Sequence, residues 1–130
     1  MKKIISYPAF FHEEDNGYWV EFPDLPGCVT QGEDLTEATL KAHEVLGFFL
    51  DDYELSALPS SSDIKSLDTP ESSIKSLVVI DLIEYRKKHN NKAVKKTLTI
   101  PEWLNEAAQK ENINFSQLLQ EAIMEKLDLN

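Results

Sequence analysis

The sequence predicts an α/β protein in two parts, a β-β-β-α-β unit followed by a smaller β-α-α unit. Three observations carry the prediction. Apolar residues alternate with period two in the first 22 residues and shift to three-and-four spacing near residue 35. Two later stretches pair a helix-start signal with a narrow apolar stripe. Between the two patterned parts lies a basic, apolar-poor segment, residues 86–93. The predicted division is therefore 1–85, a linker at 86–93, and 94–130.

Ile5, Tyr7, Ala9 and Phe11 alternate as a half-buried strand does, and Tyr18, Val20 and Phe22 alternate again. Asn16-Gly17 between them is a two-residue hairpin signal, because both residue types tolerate positive φ. The cluster Pro23-Asp24-Leu25-Pro26-Gly27 ends the second strand, and Cys28-Val29-Thr30-Gln31 supplies a short third one. Asp34 with Glu37 three residues on forms a capping-box pattern. Leu35, Ala38, Ala42, Val45, Phe49 and Tyr53 then make one apolar helix face, with Gly47 placed for close packing. Residues 55–73, rich in serine with Pro59 and Pro70, read as a loop with at most one short turn of helix. The β-branched run Ile74–Tyr85 completes the unit as a strand.

In the second part, Val94, Leu98 and Ile100 lie on one parity of a short strand, with Lys95, Thr97 and Thr99 on the other. Pro101 suits the first position of a helix, whose N–H is unbonded in any case. Leu104, Ala107 and Ala108 give that helix its stripe, and Asn112 stops it. Asn114 caps a second helix, with Gln117 at the capping-box position and a buried face of Leu118, Leu119, Ala122, Ile123 and Leu127. Such a piece is below the ~40 residues at which a single-chain core usually fails. It must borrow a partner, so an obligate homodimer, or a higher even-numbered oligomer, is expected.

Composition narrows the function. No apolar stretch reaches the ~18 residues that span a bilayer, and the basic start Met1-Lys2-Lys3 lacks a signal-peptide h-region. A cytoplasmic protein without membrane contact is expected. One cysteine, Cys28, excludes an internal disulfide framework or a multi-thiolate zinc site, and it reads as a small buried hydrophobe. The net charge of −10 is uneven: residues 1–85 carry −12, residues 86–96 carry +6 and residues 97–130 carry −4. An acidic first unit suits a basic protein partner by electrostatic steering. The cluster Arg86, Lys87, Lys88 and Lys92 can meet phosphates, stay a solvated linker, or dock on the acidic unit.

The string Val94-Lys95-Lys96-Thr97-Leu98-Thr99-Ile100-Pro101 ahead of two short helices resembles the ribbon-helix-helix DNA-binding family. The stretch Tyr18-Trp19-Val20-Glu21-Phe22-Pro23-Asp24-Leu25-Pro26-Gly27-Cys28 and the segment Asn114–Ala122 resemble the HicB antitoxins. The resemblance covers nearly the whole chain except the serine-rich stretch. It implies a degenerate ribonuclease-H-like N-terminal domain that occludes a HicA-like, mRNA-cleaving toxin. It also implies an intertwined C-terminal dimer that binds operator DNA and represses its own operon. No cofactor is implied. Ribbon-helix-helix members often carry glycine where this chain has Asn112, and asparagine tolerates the same left-handed turn.

In this reading Lys95, Thr97 and Thr99 face the groove, and the helix start at Asn114, Phe115 and Ser116 holds a phosphate. Trp19, Glu21, Asp24 and Glu33 are the candidate toxin contacts, although Trp19 fits a second-face core position better. An alternative is a ribbon-helix-helix regulator whose N-terminal domain senses a small molecule. A metal-dependent nuclease would need convergent carboxylates. Glu13, Glu14, Asp15, Glu21, Asp24, Glu33 and Asp34 fall mostly in turns or at a cap, so an acidic surface and no enzyme activity are expected. His12, His43 and His89 lack ligand spacing, so no metal site is expected.

Overall fold

The computed structural model describes residues 2–128; Met1, Leu129 and Asn130, at the ends of the two expected domains, lie outside the described residues. Two compact units divide the chain, Lys2–Asn90 and Asn91 onward. The first holds β1 (Ile4–Glu14), β2 (Gly17–Glu21), β3 (Val29–Gly32), α1 (Leu35–Leu50), β4 (Ser73–Asp81) and α2 (Leu82–His89). The second holds α3 (Glu102–Lys110) and α4 (Phe115–Lys126). The four strands form one antiparallel sheet in the order β3-β2-β1-β4. No helix among the described residues is long and apolar enough to cross a membrane.

Glu14 pairs with Gly17, so the hairpin turn is Asp15-Asn16 and not the expected Asn16-Gly17. Gly17 is needed for another reason. Its φ is +150°, and a Cβ there would strike the Gly32 carbonyl on β3. The strand period then sends Tyr7, Ala9 and Phe11 to one face beside Val20 and Val78.

Helix α1 covers that face. Asp34 accepts from the Glu37 N–H at 2.8 Å, while the Glu37 carboxylate reaches back to the Glu33 N–H at 3.2 Å. The buried stripe is Ala38, Ala42, Leu46 and Leu50. Fully burying each leucine contributes ~1.5–3 kcal/mol. The expected face was displaced by part of a turn: Leu35 is exposed, and Val45, Phe49 and Tyr53 are only partly buried. Gly47 packs against the Tyr85 ring, a contact that any Cβ would obstruct.

Strand β4 stops at Asp81, four residues before the expected Tyr85. Asp81 caps α2 by accepting from the Glu84 N–H, and Leu82 and Ile83 turn inward, so the apolar run serves two elements. Arg86, Lys87 and Lys88, expected in the linker, therefore lie on α2. The serine-rich stretch holds a single short 3-10 turn, Ile64–Ser66, and is anchored where the Tyr7 hydroxyl donates to Pro59 O at 2.6 Å.

In the second unit the expected strand Val94–Ile100 is not formed by the single chain. A strand needs a neighbour to pair its main-chain groups, and one chain offers none here. Pro101 is the N-cap of α3 and not its first helical residue, with φ −58° and ψ 143°. Asn112 adopts the left-handed conformation at φ +55°. The Asn112 N–H donates to Gln109 O and the Ile113 N–H to Ala108 O, both at 3.1 Å, which is a Schellman ending. Asn114 then caps α4 by accepting from the Gln117 N–H at 3.1 Å. Among the described residues of this unit only Ala108 is buried, and Leu118 and Ile123, expected in a core, are about half exposed.

Candidate interaction surfaces

One face of the sheet carries no α-helix of this unit, although Pro8 and Phe10 on it are buried. By the strand register, Ile4, Ser6, Pro8, Phe10 and His12 of β1 share it with Trp19, Glu21, Val29, Gln31, Leu77 and Val79. Trp19 stacks on His12 with ring centroids 4.1 Å apart. His12 Nδ1 is hydrogen-bonded to Ser73 Oγ, and its Nε2 stands 3.7 Å from Glu21 Oε1. Trp19 is thus outside the core, half-buried, and pinned by a histidine that the sequence pattern did not single out. Only the pairing of His12 with Trp19 across β1 and β2 reveals the contact.

The other candidate contacts separate. Glu21 lies beside Trp19 on the helix-free face, opposite Val29. Glu33 is exposed where β3 passes into α1. With Glu14, Asp15, Glu37 and Lys41 it lines an open acidic depression beside the β1–β2 turn. Asp24 is occupied internally: Ser62 donates to it through both its N–H, at 2.8 Å, and its hydroxyl. That carboxylate anchors the serine-rich stretch. Asp34 is used as a helix cap. Among the described residues, no three histidine, cysteine or carboxylate side chains group to hold a metal ion.

Arg86 docks on its own acidic unit, one of the roles open to the basic run. Its Nη2 donates to Asp51 O at 2.9 Å and Tyr53 O at 2.6 Å, and its Nε lies 3.4 Å from Asp51 Oδ1. Helix α1 has no basic residue in its last turn, so α2 supplies the cation that its C-terminal carbonyls attract. Cys28 is fully buried, and burial pushes its thiol up to about 11.

In the second unit Lys95, Thr97 and Thr99 are all exposed. At the start of α4, Phe115 lines a mainly apolar groove with Leu98, Ile100, Leu118 and Ala122, and Ser116 and Lys96 also line it. Ser116 and Asn114 are exposed beside it, with the Asn114 side chain already engaged as a cap.

The model of the "HicB_like antitoxin of bacterial toxin-antitoxin system" family matches residues 7–123. A 14.9 kDa protein from the rep-hol intergenic region of Haemophilus phage HP1 is 35% identical over 103 residues, covering 73% of this chain and 72% of that one. Antitoxin HicB 2 of Photorhabdus laumondii is 30% identical over 76 residues, 55% of each chain. A chain from a toxin–antitoxin complex of Streptococcus pneumoniae aligns over 95% of this chain and 99% of its own. Its identity is 34% and its TM-score 0.60. The Burkholderia pseudomallei antitoxin HicB shares the fold, with TM-score 0.52 and 24% identity over 95% of this chain and 98% of that one.

Proposed function

This chain belongs to the HicB-like antitoxin family of bacterial toxin–antitoxin systems, and from that premise we propose a division of labour between its two units. The first masks a HicA-like, mRNA-cleaving toxin by covering the toxin's RNA-facing surface. The second dimerises, binds operator DNA and represses the operon. The observation that carries the reading is the likeness, over 95% of this chain, to a chain from a toxin–antitoxin complex at 34% identity.

Charge supports the masking role. The unit Lys2–Asn90 has 17 acidic and eight basic residues, a net of −9, while Asn91–Asn130 carries −1. A basic RNA-cleaving partner is drawn to the first. Trp19 and Glu21 on the helix-free face, with Glu33 at the neighbouring β3 edge, are our proposed contacts. Asp24 keeps a structural role through Ser62. Occlusion asks no chemistry of this chain, so we assign it no enzymatic activity and no cofactor, and we place the protein in the cytoplasm with its operator.

For the second unit, exposure of Leu98, Ile100, Leu118 and Ile123 supports a second copy as the missing cover. Segments 94–100 from two copies would then pair, completing a ribbon-helix-helix that presents Lys95, Thr97 and Thr99 to base edges. The start of α4 at Asn114, Phe115 and Ser116 would hold a flanking phosphate.

The test is to co-express the chain with the product of the adjacent small reading frame. Co-purification of a stable complex, with mRNA cleavage suppressed, is expected. Absence of any association would sink the antitoxin reading for that pair.

A further inference from the structure

Strand β4 forms one edge of the sheet over nine residues, with no bulge in its pairing to β1 from Ile4↔Asp81 to His12↔Ser73. The phase of its hydrogen bonds follows from both ends. The Leu82 N–H donates to Lys3 O at 2.9 Å and the Glu13 N–H donates to Ser72 O at 3.1 Å. Lys3–Leu82 and Glu13–Ser72 are therefore hydrogen-bonded pairs, and in an antiparallel ladder such pairs alternate. Ile74, Ser76, Val78 and Ile80 turn their main-chain groups toward β1. Ser73, Lys75, Leu77, Val79 and Asp81 turn theirs away from the sheet. Among the described residues, no turn or loop main chain bonds that of Leu77 or Val79, and the side-chain contact there is a 3.4 Å bond from the Ser76 hydroxyl to Leu77 O.

Long, regular edges are normally blunted by proline, inward charges or bulges. Between Ser76 and Ile80 this edge has none of these. Leu77 and Val79 are instead 46% and 47% exposed on the helix-free face. We propose that the β4 edge pairs antiparallel with β4 of a second copy of this chain, joining two four-stranded sheets into one.

The register is restricted by the geometry. Outward-turned residues must face outward-turned residues, so a two-fold axis can pass at Leu77, Val78 or Val79. An axis at Leu77 sets Lys75 against Val79, and one at Val79 sets Leu77 against Asp81. The axis at Val78 alone places Leu77 opposite Val79 of the second copy and Lys75 opposite its Asp81, each twice. Apolar meets apolar and cation meets carboxylate, the pairings that stabilise neighbouring strands. Lys75 extends its ammonium to the carbonyls of Ile64 and Leu67, and Asp81 accepts from the Lys3 N–H, so both charges sit at fixed positions on this edge. The contact uses the first unit alone and does not rest on the toxin and operator roles proposed above.

Hydrogen exchange on the full chain tests the proposal. The Leu77 and Val79 amides should exchange ~100-fold more slowly at high protein concentration than in the double variant Leu77→Lys/Val79→Lys. Their protection should fall on dilution. The variant Leu77→Lys/Val79→Glu places the introduced lysine opposite the introduced glutamate of the second copy and should restore protection. Both substituted side chains are half exposed on the helix-free face, and circular dichroism verifies that each variant is folded. Equal exchange in wild type and the double-lysine variant overturns the proposal. So does a lysine–glutamate variant no better protected than the double-lysine one. Protection that arises only after the neighbouring gene product is added assigns the edge to that protein and overturns it too.

Discussion

Single side chains in this protein are explained by what they touch. Asp24, one acidic candidate among several in the sequence, is held by two donors from Ser62. Cys28 was legible as a buried hydrophobe from its strand neighbourhood, and the fold buries it completely. Burial disfavours the thiolate, raising the thiol from its ordinary 9.0 to about 11. Below pH 9 the folded protein should therefore hold ~100-fold less thiolate than an unfolded chain and resist thiol reagents accordingly. Labelling in buffer against labelling in denaturant checks this. The sign for stability follows: the contribution is complete below pH 9 and is lost as pH rises toward 11, because only the unfolded thiol ionises there. At Thr97 and Thr99 the exposed side chains carry no contact that folding needs. Alanine at both positions should change operator preference and leave the melting temperature within about 3 °C. Unchanged discrimination between operator and scrambled DNA would remove those threonines from base readout.

Elements were legible where local rules decide them. The Asp34 and Asn114 caps and the left-handed Asn112 needed only side-chain chemistry within a few residues. The boundary between β4 and α2 needed more. Residues 74–85 are apolar enough for one strand, and the helix begins at Leu82 because Asp81 caps it and Tyr85 packs over Gly47. Arg86 then closes the end of α1 through main-chain carbonyls of Leu50, Asp51 and Tyr53. Replacing Arg86 with alanine leaves those carbonyls without their cation. A loss of about 2 kcal/mol, or about 10 °C in melting temperature for a unit of this size, is expected in thermal unfolding. Gly47→Ala should cost about 1–3 kcal/mol by forcing the Tyr85 ring aside. A Gly47→Ala protein as stable as wild type would show that α2 shifts without penalty.

For the molecule as a whole, the two units differ in how they satisfy their apolar residues. The first buries Tyr7, Phe11, Leu46, Leu50 and Leu82 within itself, whereas the second leaves Leu98, Leu118 and Ile123 about half exposed or more. Leu118→Asp should abolish association through the second unit, since pairing would bury an unmatched carboxylate. Sedimentation of the full chain, together with operator binding, reads the effect. A Leu118→Asp protein that still binds operator as wild type does would place the contact elsewhere.

The order β-β-β-α-β, the helix caps, the break in patterning before the last 37 residues and the family resemblance were all present in the sequence. They rest on periodicity and short-range hydrogen bonding, which act within a few residues. Tertiary structure alone decided that Trp19 stacks on His12, that Arg86 serves α1, and that Asp24 belongs to Ser62. Each joins residues separated in the chain, and a sheet register or helix crossing brings them together. The same holds for the outward-turned groups of β4. Alternation marks which side chains share a face, but only strand order makes that strand an edge.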